Sequence, residues 1–145
     1  MRRVNVFSLE LVPAFDREGY RWRRARVGDL LGAKRVGGTV YELPEGERTF
    51  PYHFHHAIEE WAIVLDGAPT LRGPDGERTL RRGDVVCFPV GPEGAHQLRG
   101  PATLLLVSAN RPLEAVEYPD SGKVGVSPPR KIFRAADEVD YWEGE

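Results

Sequence analysis

The sequence predicts an all-β protein, a closed sandwich or barrel built from many short strands. Its 145 residues include 16 glycines and 12 prolines, which fall between short apolar runs. Turn-forming residues recur about every ten residues, a spacing typical of antiparallel sandwiches and barrels. A helical period is weak throughout except in residues 132–142, where a short helix in the tail is an alternative.

The middle of the chain consists of apolar runs that stop at turn-forming residues. The turns include Asp66-Gly67, residues 73–76 and Gly83-Asp84, in which glycine and aspartate supply unusual backbone angles. We expect one domain over residues 1–145, with an N-terminal arm (1–35), a barrel core (about 36–118) and a tail (119–145). The predicted strands cover residues 36–43, 49–55, 60–65, 70–72, 77–80, 85–88, 96–98, 103–108 and 113–118.

Composition narrows the class of protein. Hydrophobic residues make up 41% of the chain and charged residues 29%, enough for a packed core beneath a solvated surface. The formal charge of −2 disfavours a dedicated nucleic-acid binder. No apolar run is long enough for a signal peptide or a membrane span. The single cysteine, Cys87, excludes an internal disulfide, and we expect it to be a small buried hydrophobe. These features predict a soluble cytoplasmic protein.

The two ends of the chain carry complementary charge. Five arginines interleaved with aromatic residues lie between residues 17 and 26, and five carboxylates lie between residues 137 and 145. We expect the arm to pack across the barrel or across a partner subunit, with its arginine heads in water. An RNA-contacting arm is a less favoured alternative. Pairing of arm with tail, within or between subunits, remains open.

A set of metal-binding residue types lies near the middle of the chain. His53 and His55 are two residues apart, so both imidazoles point to the same face of a strand. A carboxylate from Glu59 or Glu60 begins the next strand, and His96 follows a later loop. Three imidazoles and one carboxylate suit a divalent transition metal: iron, manganese, nickel, zinc or copper. Octahedral coordination would leave two positions for water, dioxygen or a ligand.

The strand that begins at Glu60 has a definite phase. If Glu60 faces the interior, Ala62 and Val64 face it too, and small side chains surround the metal. Trp61, Ile63 and Leu65 would then pack on the outside.

Several other polar residues are expected only in turns, namely His56, Asp84 and the loop of residues 120–123. For that loop, anion binding is a less favoured alternative.

The same residues resemble the two sequence motifs of the cupin superfamily, across about residues 36–109. Gly46, His53, His55, Glu60 and Gly67 resemble the first motif, with a spacer before His53 that is one residue longer than usual. Gly83, Pro89, Gly91 and His96 resemble the second, with two extra residues before His96. The resemblance implies a double-stranded β-helix, or jelly-roll barrel, and a homodimer. It also implies the metal ligands His53, His55, Glu60 and His96, with Glu60 preferred over Glu59 because six residues separate it from Gly67.

The resemblance does not specify a reaction, because cupins have diverse functions. The leading hypothesis is a metal-binding cupin that holds a divalent transition metal and a small oxygen-rich organic ligand in its barrel. One alternative is a dioxygenase or isomerase acting on a small organic acid, sugar or catechol, with Glu59 or Tyr52 moving protons at the rim. Others are a non-catalytic binding module and a barrel with a purely structural metal. No nucleic-acid or membrane partner is expected.

Overall fold

The computed structural model describes all 145 residues and confirms the all-β architecture. One short helix, α1 (Val27–Leu31), follows the second strand. Single turns of 3-10 helix cover Val6–Ser8, Pro92–Gly94, Pro119–Ser121 and Ala135–Asp137. The strands are β1 (Val12–Phe15), β2 (Trp22–Ala25), β3 (Val36–Leu43), β4 (Phe54–His55), β5 (Glu60–Gly67), β6 (Thr70–Gly73), β7 (Gly76–Thr79), β8 (Val85–Phe88), β9 (Gln97–Arg99), β10 (Ala102–Ala109), β11 (Glu114–Tyr118), β12 (Lys123–Ser127) and β13 (Lys131–Arg134).

The strands form three antiparallel sheets. The largest has the order β1-β2-β3-β10-β5-β8, so the N-terminal strands extend the sheet that contains β5. A four-stranded sheet, β13-β12-β11-β4, and a three-stranded sheet, β7-β6-β9, complete the fold. No helix in the structure has the length and apolar character needed to cross a membrane.

The main core lies on the inner face of the largest sheet, and the phase of β5 places it there. Ala62 and Val64 are fully buried in a cluster of 12 residues, whereas Trp61 is 47% exposed on the opposite face. This alternation confirms the orientation predicted from Glu60 onward. Leu65 also lies on the outer face, in a second apolar cluster with Val27 and Val40.

The N-terminal arm packs across the outside of the sheet. Val6, Leu9 and Leu11 contact the second cluster and cover part of the outer face. The arginines of the arm pair with nearby carboxylates: Arg21 with Asp16 and Glu47, Arg23 with Glu42, and Arg26 with Asp29. No ion pair joins them to the acidic tail, so pairing of arm and tail within the chain is not observed.

Three local expectations differ from the structure. Of residues 49–55, only Phe54–His55 is a strand, because Pro51 has no amide hydrogen to donate to a ladder. In the tail, β12 and β13 pair as a hairpin around Pro128-Pro129, so residues 131–134 are strand and the helical alternative is reduced to the 3-10 turn Ala135–Asp137. The burial predicted for Cys87 is wrong: its side chain is exposed, since Phe88 is the residue of β8 that turns into the core.

Candidate metal centre

Two histidines from separate segments meet through their backbones. The amide of His53 donates to the carbonyl oxygen of His96 at 3.2 Å, and the amide of His96 donates to that of His53 at 2.9 Å. This isolated antiparallel bridge places the two residues directly opposite one another. Opposed residues project to the same side, and the ring centroids are 4.6 Å apart.

Both rings are held so that Nε2 is the nitrogen available to a metal. Nδ1 of His53 lies 2.8 Å from the carbonyl oxygen of Pro51, and Nδ1 of His96 lies 2.8 Å from that of Gly94. A carbonyl oxygen only accepts hydrogen bonds, so each Nδ1 carries the proton and each Nε2 keeps a free lone pair. The ring of Phe88 stacks on His96 at 3.7 Å and fixes its plane further.

Glu60, the first residue of β5, brings a carboxylate to these imidazoles. Its Oε2 lies 3.3 Å from Nε2 of His96. One potential ligand atom from each of His53, Glu60 and His96 lies within 4.8 Å of the other two. His96 is 2% exposed and His53 6%, so both imidazoles are largely shielded from bulk water.

Burial and mutual charge set the ionisation of the three donors. Burial, together with the neighbouring His96 and His55, lowers the pKa of His53 to about 4. Burial alone would raise the pKa of Glu60, but the three neighbouring histidines outweigh that effect and lower it. At neutral pH, His53 is therefore a neutral imidazole and Glu60 a carboxylate, the forms that bind a cation.

His55 lies beside these donors but faces a different carboxylate. Its Nε2 is 3.7 Å from Oε2 of Glu60, and it is not one of the donors within 4.8 Å of each other. Its Nδ1 is 3.5 Å from Oε1 of Glu114. Neither Nδ1 of His55 nor Oε2 of Glu114 has a hydrogen-bond partner. Burial lowers the pKa of His55, against the charges of Glu60 and Glu114.

Glu114 is a site residue that the sequence reasoning missed. The amides of His56 and Ala57 approach its Oε1 at 3.1 and 3.4 Å, which holds the carboxylate behind His55. β11 pairs with β4 so that Val116 lies opposite His55. Alternation along β11 puts Glu114 on the face of Val116. The alternation along β11 could have indicated which face carries Glu114. The sequence nearby does not show that β11 pairs with β4, so it could not place Glu114 beside His55.

The remaining candidates lie away from the donors. Glu59 is exposed and accepts a hydrogen bond from the indole of Trp61 at 3.1 Å, on the outside of the sheet. Tyr52 lies in the wall of the cavity, with the guanidinium of Arg72 4.0 Å above its ring. His56 lies in an exposed bend with Nε2 2.8 Å from Glu117, as expected for a turn residue.

A cavity of about 1020 Å³ opens onto His53, His55 and Glu60. One of its walls carries Asp120, whose carboxylate accepts two hydrogen bonds from Arg72. Residues 119–121 form a 3-10 turn here, which agrees with the predicted turn. Many of the lining residues are polar: Thr39, Tyr41, Tyr52, Gln97, Asn110 and Tyr118.

The donor set fits a divalent transition metal. Imidazole nitrogens suit zinc, copper, iron and nickel, and a carboxylate extends the choice to manganese. The anchored Nδ1 atoms also match the way in which metal-binding histidines are oriented in proteins. The residues present are therefore compatible with the metal that the sequence predicts.

Comparison with known proteins agrees with the fold. Residues 39–108 match the family described as "Cupin domain". A structure of a sugar phosphate isomerase from the cupin superfamily, from Silicibacter pomeroyi, superposes with a TM-score of 0.81 at 23% identity, covering 96% of each chain. A protein described provisionally as a sugar phosphate isomerase, from Acidithiobacillus ferrooxidans, gives 0.79 at 24% identity over 84% of this chain and 81% of its own. The polyketide cyclase RemF from Streptomyces resistomycificus gives 0.56 at 25% identity over 75% and 78%. No curated protein matches the chain in sequence.

Proposed function

We propose that this chain, whose residues 39–108 match the cupin domain family, binds a divalent transition metal through His53, Glu60 and His96 and acts as an isomerase on a small hydroxy-carbonyl compound. The observation that carries the proposal is the convergence of these three donors beside a cavity that His53 and Glu60 line. His55 is adjacent to Glu60 and completes the predicted ligand set. Iron, manganese, nickel, zinc and copper all fit this set.

When bound, the metal would act as a Lewis acid that polarises a carbonyl or hydroxyl oxygen. The chain itself supplies the orientation of the ligand. Burial raises the pKa of Tyr41, so its phenol stays protonated and can donate a hydrogen bond to a ligand oxygen at neutral pH. The hydroxyl and amide groups of the other lining residues suit a ligand with several hydroxyls.

The comparisons support testing isomerase chemistry first. Two similar structures are those of proteins named as sugar phosphate isomerases. Exchange of a carbonyl between neighbouring carbons through an enediol requires a proton to leave one carbon and a proton to be returned to the other. The buried donors and the polar cavity supply a place for such a step, with water largely excluded at His96.

Proton exchange with solvent tests this proposal directly. Metal-loaded protein is incubated in D₂O with aldoses, ketoses and their phosphates, and NMR follows deuterium at the carbon next to the carbonyl. We expect deuterium incorporation and isomer formation with wild type and with His56→Ala, whose side chain pairs only with Glu117. Both signals should vanish in His96→Ala and Glu60→Gln.

Two results would contradict the proposal in different ways. Metal and ligand binding without exchange or turnover would identify a non-catalytic binding module. Sharp loss of thermal stability on chelation, with no effect of any ligand on the melting temperature, would identify a structural metal.

A further inference from the structure

Arg24 projects into the interior of the barrel from β2. Residues alternate along this strand, so Arg24 shares a face with Trp22, which is buried in the core cluster. Arg23 lies on the opposite face and pairs with Glu42. Arg24 lies opposite Tyr41 of β3 and lines the cavity that His53 and Glu60 also line.

Arg24 has no carboxylate partner, unlike its neighbours. Arg21, Arg23 and Arg26 each form an ion pair, whereas Arg24 has only uncharged neighbours, the Tyr41 phenol and the ring of Trp22, whose centroid is 5.6 Å from its Cζ. A half-buried guanidinium has lost part of its hydration, and a cation–π contact restores only some of that energy. An anion entering the cavity would supply the missing charge.

The register of the large sheet relates Arg24 to the metal donors. Tyr41 lies opposite Leu104, Leu104 lies opposite Val64, and Glu60 begins the same strand as Val64. The charges of Arg24 and Glu60 both act on the Tyr41 phenol, so both groups lie near it. Strand spacings and side-chain lengths then leave roughly 10 Å between the guanidinium and the donors.

We propose that Arg24 binds an oxyanion, a carboxylate or a phosphate, on the ligand whose carbonyl and hydroxyl oxygens lie at His53, Glu60 and His96. This inference rests on the proposed function and narrows its substrate class to acidic or phosphorylated hydroxy-carbonyl compounds. Arginine suits this task because its planar guanidinium donates two parallel hydrogen bonds to an oxyanion. The distance of roughly 10 Å between the Arg24 guanidinium and the metal donors favours a ligand whose anionic group is several bonds away from the oxygens that face the metal.

Calorimetric titrations of matched probes test the proposal. The probes are ribose, ribonate, ribose 5-phosphate and inorganic phosphate, at constant ionic strength. Wild type should bind at least one of ribonate and ribose 5-phosphate about tenfold or more tightly than ribose. Arg24→Gln should lose that preference, and Arg24→Lys should retain part of it. Arg23→Gln, on the outer face of the same strand, is the matched control and should behave as wild type.

The two anionic sugars distinguish a carboxylate from a phosphate site. The proposal is overturned if neither anionic sugar binds more tightly than ribose. It is also overturned if Arg24→Gln prefers the anionic sugar over ribose as strongly as the control Arg23→Gln does. Metal content is measured on the same samples and should be unchanged by either arginine variant. If wild-type protein binds no metal but still binds inorganic phosphate more tightly than Arg24→Gln does, the proposed function is refuted and the oxyanion site at Arg24 is not.

Discussion

His53 and His96 are joined by two reciprocal backbone hydrogen bonds, 3.2 and 2.9 Å long. The bridge connects the two motif segments at the residues that carry the imidazoles. Each ring is then oriented by a carbonyl two residues earlier in its own segment, that of Pro51 or Gly94. The backbone therefore sets the positions of the donor nitrogens before any ion binds.

Gly94→Ala is expected to disturb this arrangement. A Cβ at residue 94 would overlap the backbone of Pro89, and the same residue supplies the carbonyl that holds His96. We expect a loss of about 1–3 kcal/mol in the free energy of unfolding, together with weaker metal binding. Gly73→Ala is the control, since the nearest atom to its Cβ is 3.9 Å away. Urea unfolding checks both variants, and equal stabilities would contradict the role assigned to Gly94.

Acid should destabilise the metal-free protein through His53. The pKa of His53 is about 4 when folded, against 6.5 for a free histidine, because burial disfavours the imidazolium. Between these pH values the unfolded chain holds more protons, so the free energy of unfolding falls as the pH falls, by roughly 3 kcal/mol from this group. Above pH 6.5 this loss is absent, because His53 is neutral in both the folded and the unfolded chain.

His53→Gln tests that prediction in the presence of a chelator. Urea unfolding at several pH values between 7 and 4 should give a shallower dependence in the variant than in wild type. His56→Gln, in an exposed bend, should leave the slope unchanged. A variant slope equal to that of wild type would show that His53 does not carry the effect.

Glu114→Gln is expected to weaken metal binding without unfolding the protein. The carboxylate faces Nδ1 of His55 at 3.5 Å and would polarise that imidazole. Loss of such a supporting partner costs about 10- to 100-fold in metal affinity. Competition with a chromophoric chelator measures the affinity. Glu117→Gln, which pairs instead with the exposed His56, is the control, and equal affinities of the two variants would argue against a role for Glu114.

Local alternation made much of the architecture predictable. β3 and β8 were predicted with the bounds observed, and the inward phase of Glu60, Ala62 and Val64 followed from the two-residue period of a strand. The convergence of His53, Glu60 and His96 was expected from the motif resemblance, which encodes the sheet pairing that local patterns lack.

Other features depend on pairing between distant strands, which no local pattern records. Glu114 reaches His55 only because β11 lies beside β4, and Arg24 reaches the cavity only because β2 extends the largest sheet. Cys87 resembled a core residue among apolar neighbours, but the register of β8 places it opposite Trp61 on the outer face. The hairpin of β12 and β13 was likewise obscured by a weak helical period.

Metal stoichiometry tests the central claim most directly. Wild-type protein and the variants His53→Ala, Glu60→Ala, His96→Ala and His56→Ala are loaded separately with Fe²⁺, Mn²⁺, Ni²⁺, Zn²⁺ and Cu²⁺, desalted and analysed by mass spectrometry. Wild type and His56→Ala should retain about one ion per chain with at least one of these metals, and the other three variants less than about a tenth. Folded wild-type protein that retains none of the five ions, or donor variants that retain as much as wild type, would contradict the account.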